Sequence, residues 1–459
     1  MAENNILKIR DDERIELSCN DKKFTITNNQ EPAWLGQTTR DIPLSVLRKG
    51  IEPWLTSLFQ SEHLSVLTGN GLSTAVQFLA KGSGNAAMTG QNITTDFKDL
   101  ISRAAKKTAE KSGRGEANIE DQIRVMNELI RGLEILGHDT DDEKKDEYKK
   151  VCDNLINLIK SFTDDISGIE SSIATATDRD NAFWYLVSFL MSFASRTGTR
   201  ERLNIFTTNY DRLIEAGAEL AGLHLLDRFV GTLSPIFRSS RLDIDMHYNP
   251  PGIRGEPRYL EGVARFTKLH GSIDWIDTGS DIRKIGLPLG SSDLSNFLNA
   301  PGLNELGHRQ VMIYPNSSKD RETSEYPYVE LFRDFAAALC RPNSTLVTYG
   351  YGFGDDHINR IIKDMLTIPS THLVVISFDD AGGRITKKVE EFGRQSQISL
   401  IIGNDIANLQ TLVDCFMPKP SIDKASIRMG ELIKQRYAEQ QPVTTTDNSD
   451  GIDVFGGDD

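Results

Sequence analysis

Cysteine is scarce: the 459 residues hold only Cys19, Cys152, Cys340 and Cys415. They stand far apart and none forms a Cys-x-x-Cys pair. That spacing argues against a disulfide framework and against a structural zinc site, which draws its ligands from close pairs. Such cysteines behave as buried small hydrophobes in a reducing compartment. No apolar run reaches the ~18 residues of a membrane span. The opening Met1-Ala2-Glu3-Asn4-Asn5 lacks a basic segment followed by an apolar core, so no secretory signal is read and a cytoplasmic location is expected. Positive charge is in deficit, with 52 Lys and Arg against 66 Asp and Glu and a formal net charge of −14. The deficit argues against a broad nucleic-acid surface and leaves room for a local basic patch. No internal repeat is present. A full Gly-x-Gly-x-x-Gly fingerprint is missing too, because Thr74 stands where the last glycine would be.

What is present is a series of short apolar segments ending in glycine or polar loops. Leu64-Ser65-Val66-Leu67-Thr68 reads as a buried strand running into Gly69-Asn70-Gly71-Leu72-Ser73, then a helix from about Thr74 to Leu79. A strand, a Gly-x-Gly turn and a helix start can cradle a phosphate, since glycine lets the backbone approach and helix N–H groups face the anion. Alone, that motif has many false matches. Asn204-Ile205-Phe206-Thr207 repeats the arrangement with the loop Thr208-Asn209-Tyr210-Asp211 and a helix from Leu213. Asn209 and Asp211 either cap that helix or face a ligand, and spacing leaves both readings open.

Arg265 to His270 is a further strand turning at Gly271. A loop is expected from Gly279 to Gly307 and a short strand from Val311 to Pro315. Ser344 to Tyr349 runs into Gly350-Tyr351-Gly352-Phe353-Gly354-Asp355-Asp356. Leu373 to Phe378 ends in Asp379-Asp380, and Ile398 to Ile402 ends in Gly403-Asn404-Asp405. Asp355 and Asp356 read as helix N-caps in preference to metal ligands. Trp275 reads as a packing residue and His357 as a helix-start residue.

Strands alternating with helices predict an α/β fold, a parallel Rossmann-like sheet of about six strands with a large helical insertion. Residues 1–60 read as an N-terminal arm of short strands, able to close a sheet edge, cap their own domain or reach another subunit. Short helices are expected there from Leu44 to Lys49 and from Pro53 to Phe59. Residues 61–420 form the main domain, interrupted at about 95–200 by helices over Ile119–Leu136, Tyr148–Phe162 and Asn181–Phe193. Residues 421–459 read as a C-terminal helix and a disordered acidic tail, since Gln440 to Asp459 holds no Lys or Arg.

In a parallel sheet these loops share one rim, where ligands bind. In this order they resemble the sirtuin (silent information regulator) family. Gly69-Asn70-Gly71-Leu72-Ser73 is similar to its Gly-Ala-Gly-x-Ser loop, with Asn70 in place of Ala. Thr208-Asn209-Tyr210-Asp211 is similar to its Gln-Asn-x-Asp motif, with Thr208 in place of Gln. His270-Gly271 resembles the catalytic His-Gly pair, and Gly350 to Asp355 stands where the family has a Gly-Thr-Ser loop. The resemblance covers roughly 60–80, 200–275 and 310–415. It is closer still to bacterial sirtuin-like proteins of antiphage defence, which hydrolyse NAD and in one branch pair with a HerA-type hexameric ATPase. Deacylating sirtuins carry a four-cysteine zinc module after the catalytic histidine, whereas no cysteine lies between Cys152 and Cys340 here. A Pro-Asp-Phe-Arg segment after the first loop is also missing.

The resemblance implies NAD as substrate and no metal. It makes His270 a general base, Asn209 a group that holds the nicotinamide ribose or orients water, and Asp211 a group that orients the carboxamide or offsets positive charge. Gly69, Asn70, Gly71, Ser73 and Thr208 would bind the phosphates and ribose, the glycine amides cradling the pyrophosphate. Gly350, Gly352 and Asp379 would lie beside the adenosine half. The expected activity is NAD hydrolysis by an NAD-depleting defence effector, homo-oligomeric and activated within an assembly. The alternative is a non-catalytic sensor or scaffold that binds NAD or ADP-ribose. Peptide deacylation is disfavoured by the missing zinc module, and a hydride-transfer dehydrogenase fits worst.

Overall fold

The structure, a computed structural model, describes residues 5–419 apart from 11–12, 29, 37–38, 85–89, 91–92, 94, 112–114, 137–141, 197–199, 244, 249–257, 279 and 292–325. The strand expected at Val311 to Pro315, most of the loop from Gly279 to Gly307, and the C-terminal helix and tail lie outside the described residues.

The chain opens with strands β1 (Asn5–Lys8), β2 (Ile15–Asn20), β3 (Lys23–Ile26) and β4 (Ile42–Pro43). Helix α1 (Leu44–Phe59), β5 (His63–Thr68) and α2 (Asn70–Lys81) follow. The insertion supplies α3 (Lys98–Lys111), α4 (Ile119–Ile135), α5 (Asp142–Ala174) and α6 (Arg179–Ala194). Next come β6 (Asn204–Thr207), α7 (Leu213–Ala221) and β7 (His224–Leu226). Five short strands flank β12 (Val263–Lys268): β8 (Phe229–Val230), β9 (Ile236–Phe237), β10 (His247–Tyr248) and β11 (Arg258–Tyr259) before it, and β13 (Trp275–Asp277) after it. After β13 come β14 (Ile282–Lys284), α8 (Tyr328–Leu339), β15 (Ser344–Tyr349), α9 (Asp356–Met365), β16 (His372–Ser377), α10 (Arg384–Phe392) and β17 (Ile398–Ile402), and short helical turns over Asn404–Ala407, Leu409–Thr411 and Leu412–Phe416 close the described chain.

Eleven strands join in one sheet, in the order β4-β3-β2-β1-β17-β16-β15-β5-β6-β12-β7. From β17 to β7 every neighbouring pair is parallel. Their sequences are near-continuous apolar runs because helices cover both faces. Leu64, Val66, Leu346, Val347, Leu373 and Val374 are each at most 2 % exposed.

The expectation of about six strands falls short for two reasons. The arm adds four antiparallel strands, β1 pairing Ile6 with Ile402 of β17. At the far edge the three-residue β7 pairs with β12, too short to show a pattern.

Two helices also run through expected breaks. α1 continues across Gly50 and Pro53 because Leu47, Ile51, Leu55 and Phe59 bury one face. A Cβ at Gly50 would sit 2.4 Å from the Trp34 ring, so that glycine serves packing, not a break. α5 continues past Phe162 to Ala174, with Ile166 and Ile173 extending its buried stripe. Burial here outweighs the ~1 kcal/mol that interior Gly168 costs a helix.

The helices α4 and α5 share a separate core built on Ile119, Ile123, Met126, Leu155, Ile159 and Phe162. Tyr210 and Ile273, on the loops after β6 and β12, belong to that same core. The more apolar α6 packs into the main core through Leu186, Phe189 and Phe193.

Candidate functional site

The sheet order places β5 beside β15, although 281 residues separate the paired Thr68 and Tyr349. The chain leaves β5 toward β6 on one side and returns as β15 on the other, which makes this a topological switch point. Both loops there are glycine loops. Gly69 N–H donates to Tyr349 O at 3.1 Å and Gly71 N–H to Gly350 O at 3.1 Å. A Cβ at Gly69 would stand 2.6 Å from Gly350 O, and one at Gly71 would stand 2.6 Å from Gly350 Cα. Gly350 itself has φ +61, a conformation side chains rarely adopt. The glycines are therefore required by backbone-to-backbone packing of the two loops. The Gly69 and Gly71 amides are engaged by β15 and its loop, which differs from the open phosphate cradle expected of them.

Around this seam lie two cavities. The smaller, of about 120 Å³, is lined by Asn70, Ser73, Thr208, Asn209, Tyr210, Asp211 and His270, with Glu120, Ile166 and Ile169 of the insertion as its other wall. The larger, of about 1000 Å³, takes in Asn70, Gly71, Gly350, Gly352, Phe378 and Asp379. Cys19 and Lys22 from the arm also line it. Asn70, the residue standing where the resembled motif has Ala, touches both. The structure thus brings Asn209, Asp211, His270, Ser73 and Thr208 to one cavity, and Gly350, Gly352 and Asp379 to the other. Gly69 lies behind the seam, and Trp275 packs away from it against Phe229.

A buried hydrogen-bond chain organises the small cavity. Asn209 Nδ2 donates to Gly69 O at 3.0 Å and to Ser73 Oγ at 2.9 Å. Ser73 Oγ donates to Asp211 Oδ2 at 2.5 Å, and Asp211 Oδ1 accepts from Leu213 N at 3.1 Å. The Asn209 amide nitrogen thus faces protein, leaving Oδ1 as the atom available to a ligand. Burial pushes the Asp211 carboxyl up, against the opposing field of Lys268 and the Ser73 hydrogen bond. Lys268 Nζ itself binds Asp211 O at 2.5 Å and Glu215 Oε1 at 3.1 Å, which fixes the loop's backbone.

His270 follows β12 and precedes Gly271, whose φ of +88 turns the chain away from the rim. Its Nε2 lies 2.9 Å from Asp355 Oδ2. Asp355 Oδ1 meanwhile accepts from His357 N and Ile358 N, so the expected N-cap is present and carries a second bond. Burial opposes ionisation of Asp355, but the hydrogen bond and charge of His270, with the Ile358 amide, outweigh it and hold the carboxyl at about 2.

The insertion is tied to this rim, which spacing could not show. Tyr210 Oη donates to Glu120 Oε1 at 2.8 Å. Arg212 binds Glu170 through its backbone N at 2.7 Å and through Nη2 at 2.5 Å, and Glu170 is fully buried. Glu120 was legible only as a helix residue, and Glu170 lay beyond the helix read over Tyr148–Phe162. The signal that would have found them is their placement opposite a polar loop, and that is a tertiary fact.

Among the described residues, no group of three His, Cys, Asp or Glu side chains is placed to hold a metal. Nor is any helix among them long and apolar enough to cross a membrane. No curated protein matches the chain. The family model of the SIR2-like domain matches residues 203–401, a span that opens beside β6, takes in His270 and the loop after β15, and closes on β17. Asn209, Asp211, His270 and Asp355 all lie inside that span, so the chain carries a SIR2-like domain over residues 203–401.

Proposed function

We propose that this chain hydrolyses NAD to nicotinamide and ADP-ribose, as an NAD-depleting effector of bacterial antiphage defence that is activated within an assembly. A SIR2-like domain implies NAD-related chemistry. The observation that carries the finer reading is the pair of cavities meeting at Asn70. One is large enough for a nucleoside; the other presents His270 and Asn209 to whatever extends past the seam. In hydrolysis the bond from ribose C1′ to the nicotinamide nitrogen breaks and its electron pair leaves with neutral nicotinamide. Water forms the new bond to C1′ and its proton passes to His270, a group suited to transfer near neutrality. Asn209 Oδ1 holds a ribose hydroxyl or that water. Positioning of this kind is worth several kcal/mol.

The small cavity is tight. At about 120 Å³ it lies below the ~300 Å³ at which ligand pockets begin. Its far wall is Glu120, Ile166 and Ile169 of the insertion. We read this as a restrained state, in keeping with a chain held inactive until a partner moves the insertion. A HerA-type ATPase is the partner the sequence resemblance suggests, and a homo-oligomer is expected with it.

The test is nicotinamide release from NAD by the purified chain, alone and with the candidate ATPase. His270→Ala and Asn209→Ala should each lower release by about 10²–10⁴-fold, the usual range for a lost acid–base group. Retained activity in both would move the site elsewhere. One observation favours a second reading: both Asn209 amide donors and both Asp211 oxygens are satisfied within the protein. A non-catalytic sensor or scaffold needs only such a fixed framework. Stoichiometric ADP-ribose binding with no turnover in any state would support it over hydrolysis.

A further inference from the structure

We propose that Asp355 is the positioning residue of His270, fixing the ring's tautomer and orientation so that its second nitrogen serves as the base. The inference rests on the hydrolase reading for its chemistry but not for its geometry. A helix N-cap needs one carboxylate oxygen. Asp355 uses Oδ1 for that purpose, on His357 N at 2.9 Å and Ile358 N at 3.2 Å. Its Oδ2 is left over, and it meets His270 Nε2 at 2.9 Å across 85 residues of sequence.

The loop that carries Asp355 is itself pinned. Tyr351 Oη donates to Asp355 O at 3.3 Å and to Asn359 Oδ1 at 3.2 Å, and Asn359 Nδ2 donates to Phe353 O at 2.9 Å. The carboxylate therefore cannot swing away without unmaking the start of α9.

An ionised carboxylate only accepts hydrogen bonds. Its partner Nε2 must then carry the proton, which puts the lone pair of neutral imidazole on Nδ1. The carboxylate also stabilises the imidazolium formed when that lone pair takes a proton. Other titratable groups around the ring are Asp211, Tyr210 and Glu120, which share the small cavity with it. Asp356 and His357 lie next to Asp355 in the chain. Asp355 meets the ring directly, Oδ2 to Nε2 at 2.9 Å, so its loss should change the ring's basicity. The same loop carries Gly350 and Gly352 on the large cavity, so one short segment touches both halves of the proposed substrate site.

The discriminating variant is Asp355→Asn in the full chain. Asparagine caps helices as well as aspartate does, so folding is preserved, while the group facing Nε2 can no longer carry charge. In the activated assembly, kcat for nicotinamide release should fall about 100-fold, within the range of acid–base catalysis. KM for NAD should stay within about threefold, since a positioning effect acts on the reacting geometry. The acid limb of the kcat–pH profile should move to lower pH, because removing the carboxylate makes the imidazolium easier to deprotonate.

A second readout does not need activity. The eight histidines can be isotopically labelled and the His270 ring titrated by NMR, assigned with His270→Gln. His270 should titrate at higher pH in the wild type than in Asp355→Asn. Equal titration midpoints together with an unchanged kcat would overturn the proposal. A His270 shift in a wild type that cleaves no NAD in any state would support the pairing and overturn the hydrolase reading.

Discussion

The loops after β6 and β15 both end in an aspartate, buried at 211 and half-buried at 355, that accepts amides from the start of the next helix. Asp211 accepts from Leu213 N, and Asp355 from His357 N and Ile358 N. Burial raises both carboxyls, yet Asp211 stays raised while Asp355 falls to about 2. The difference lies in the remaining oxygen. Asp211 Oδ2 meets the neutral Ser73 hydroxyl, and the nearby Lys268 ammonium bonds to backbone and to Glu215 instead. Asp355 Oδ2 meets an imidazole that can itself become a cation. A neutral donor does not offset the cost of burying charge, whereas a cation in contact does. The loops also differ in what supports them. The β6 loop leans on the insertion through Arg212–Glu170 and Tyr210–Glu120, while the β15 loop leans on its own helix.

The largest expected effect tests that dependence. Glu170→Ala leaves the Arg212 guanidinium buried without its carboxylate and removes the acceptor of Gly290 N. Breaking one side of a buried pair costs about 3–5 kcal/mol. The thermal midpoint should fall by far more than in Glu52→Ala, which breaks the more exposed Arg48–Glu52 pair. Equal falls would mean that the β6 loop does not depend on the insertion.

Asp355→Ala comes next. Its carboxyl moves from an ordinary 3.8 to about 2 on folding, a shift worth about 2 kcal/mol before solvent screening trims it. The folded value lies below the unfolded one. The stabilisation is therefore complete above about pH 4 and is lost as pH falls toward 2. Urea midpoints of wild type and variant should differ at pH 7 and converge as pH falls from about 4 toward 2. A constant gap would assign the loss to the helix cap alone. Asp211 carries no such reserve: its raised carboxyl means that ionisation there costs stability at neutral pH.

The contrast also marks what could be read in advance. β5, β15, β16 and β17 were legible because both faces of each are buried, so their sequences are apolar without interruption. The arm's short strands were legible as strands, but their destination beside β17 was not, since Ile6 and Ile402 lie at opposite ends of the chain. Asn209, Asp211 and His270 were visible as motif residues because the loop chemistry is local. Asp355 was visible only through its local half, the cap, because its other oxygen binds a residue on a different strand's loop. Glu120 lies within the Asn118–Asp121 capping box, which announces a helix start and nothing about the cavity it faces.

The smallest expected effect separates a structural pin from a functional restraint. Tyr210→Phe removes the 2.8 Å bond to Glu120 Oε1 but keeps the ring that lies edge-on to Phe162 at 5.4 Å. Loss of one partly buried hydrogen bond costs about 1 kcal/mol. If α4 restrains the cavity through this bond, that free energy also comes out of the restrained state. Basal nicotinamide release without the partner should then rise about fivefold, the population shift that ~1 kcal/mol supports when the open state is the minor one. A fivefold rise with a slightly lower melting point would locate the restraint on the Tyr210 side of the β6 loop. Unchanged release with the same loss of stability would make Tyr210–Glu120 a pin alone and leave Arg212–Glu170, two residues further along the chain from Tyr210, as the contact a partner must break.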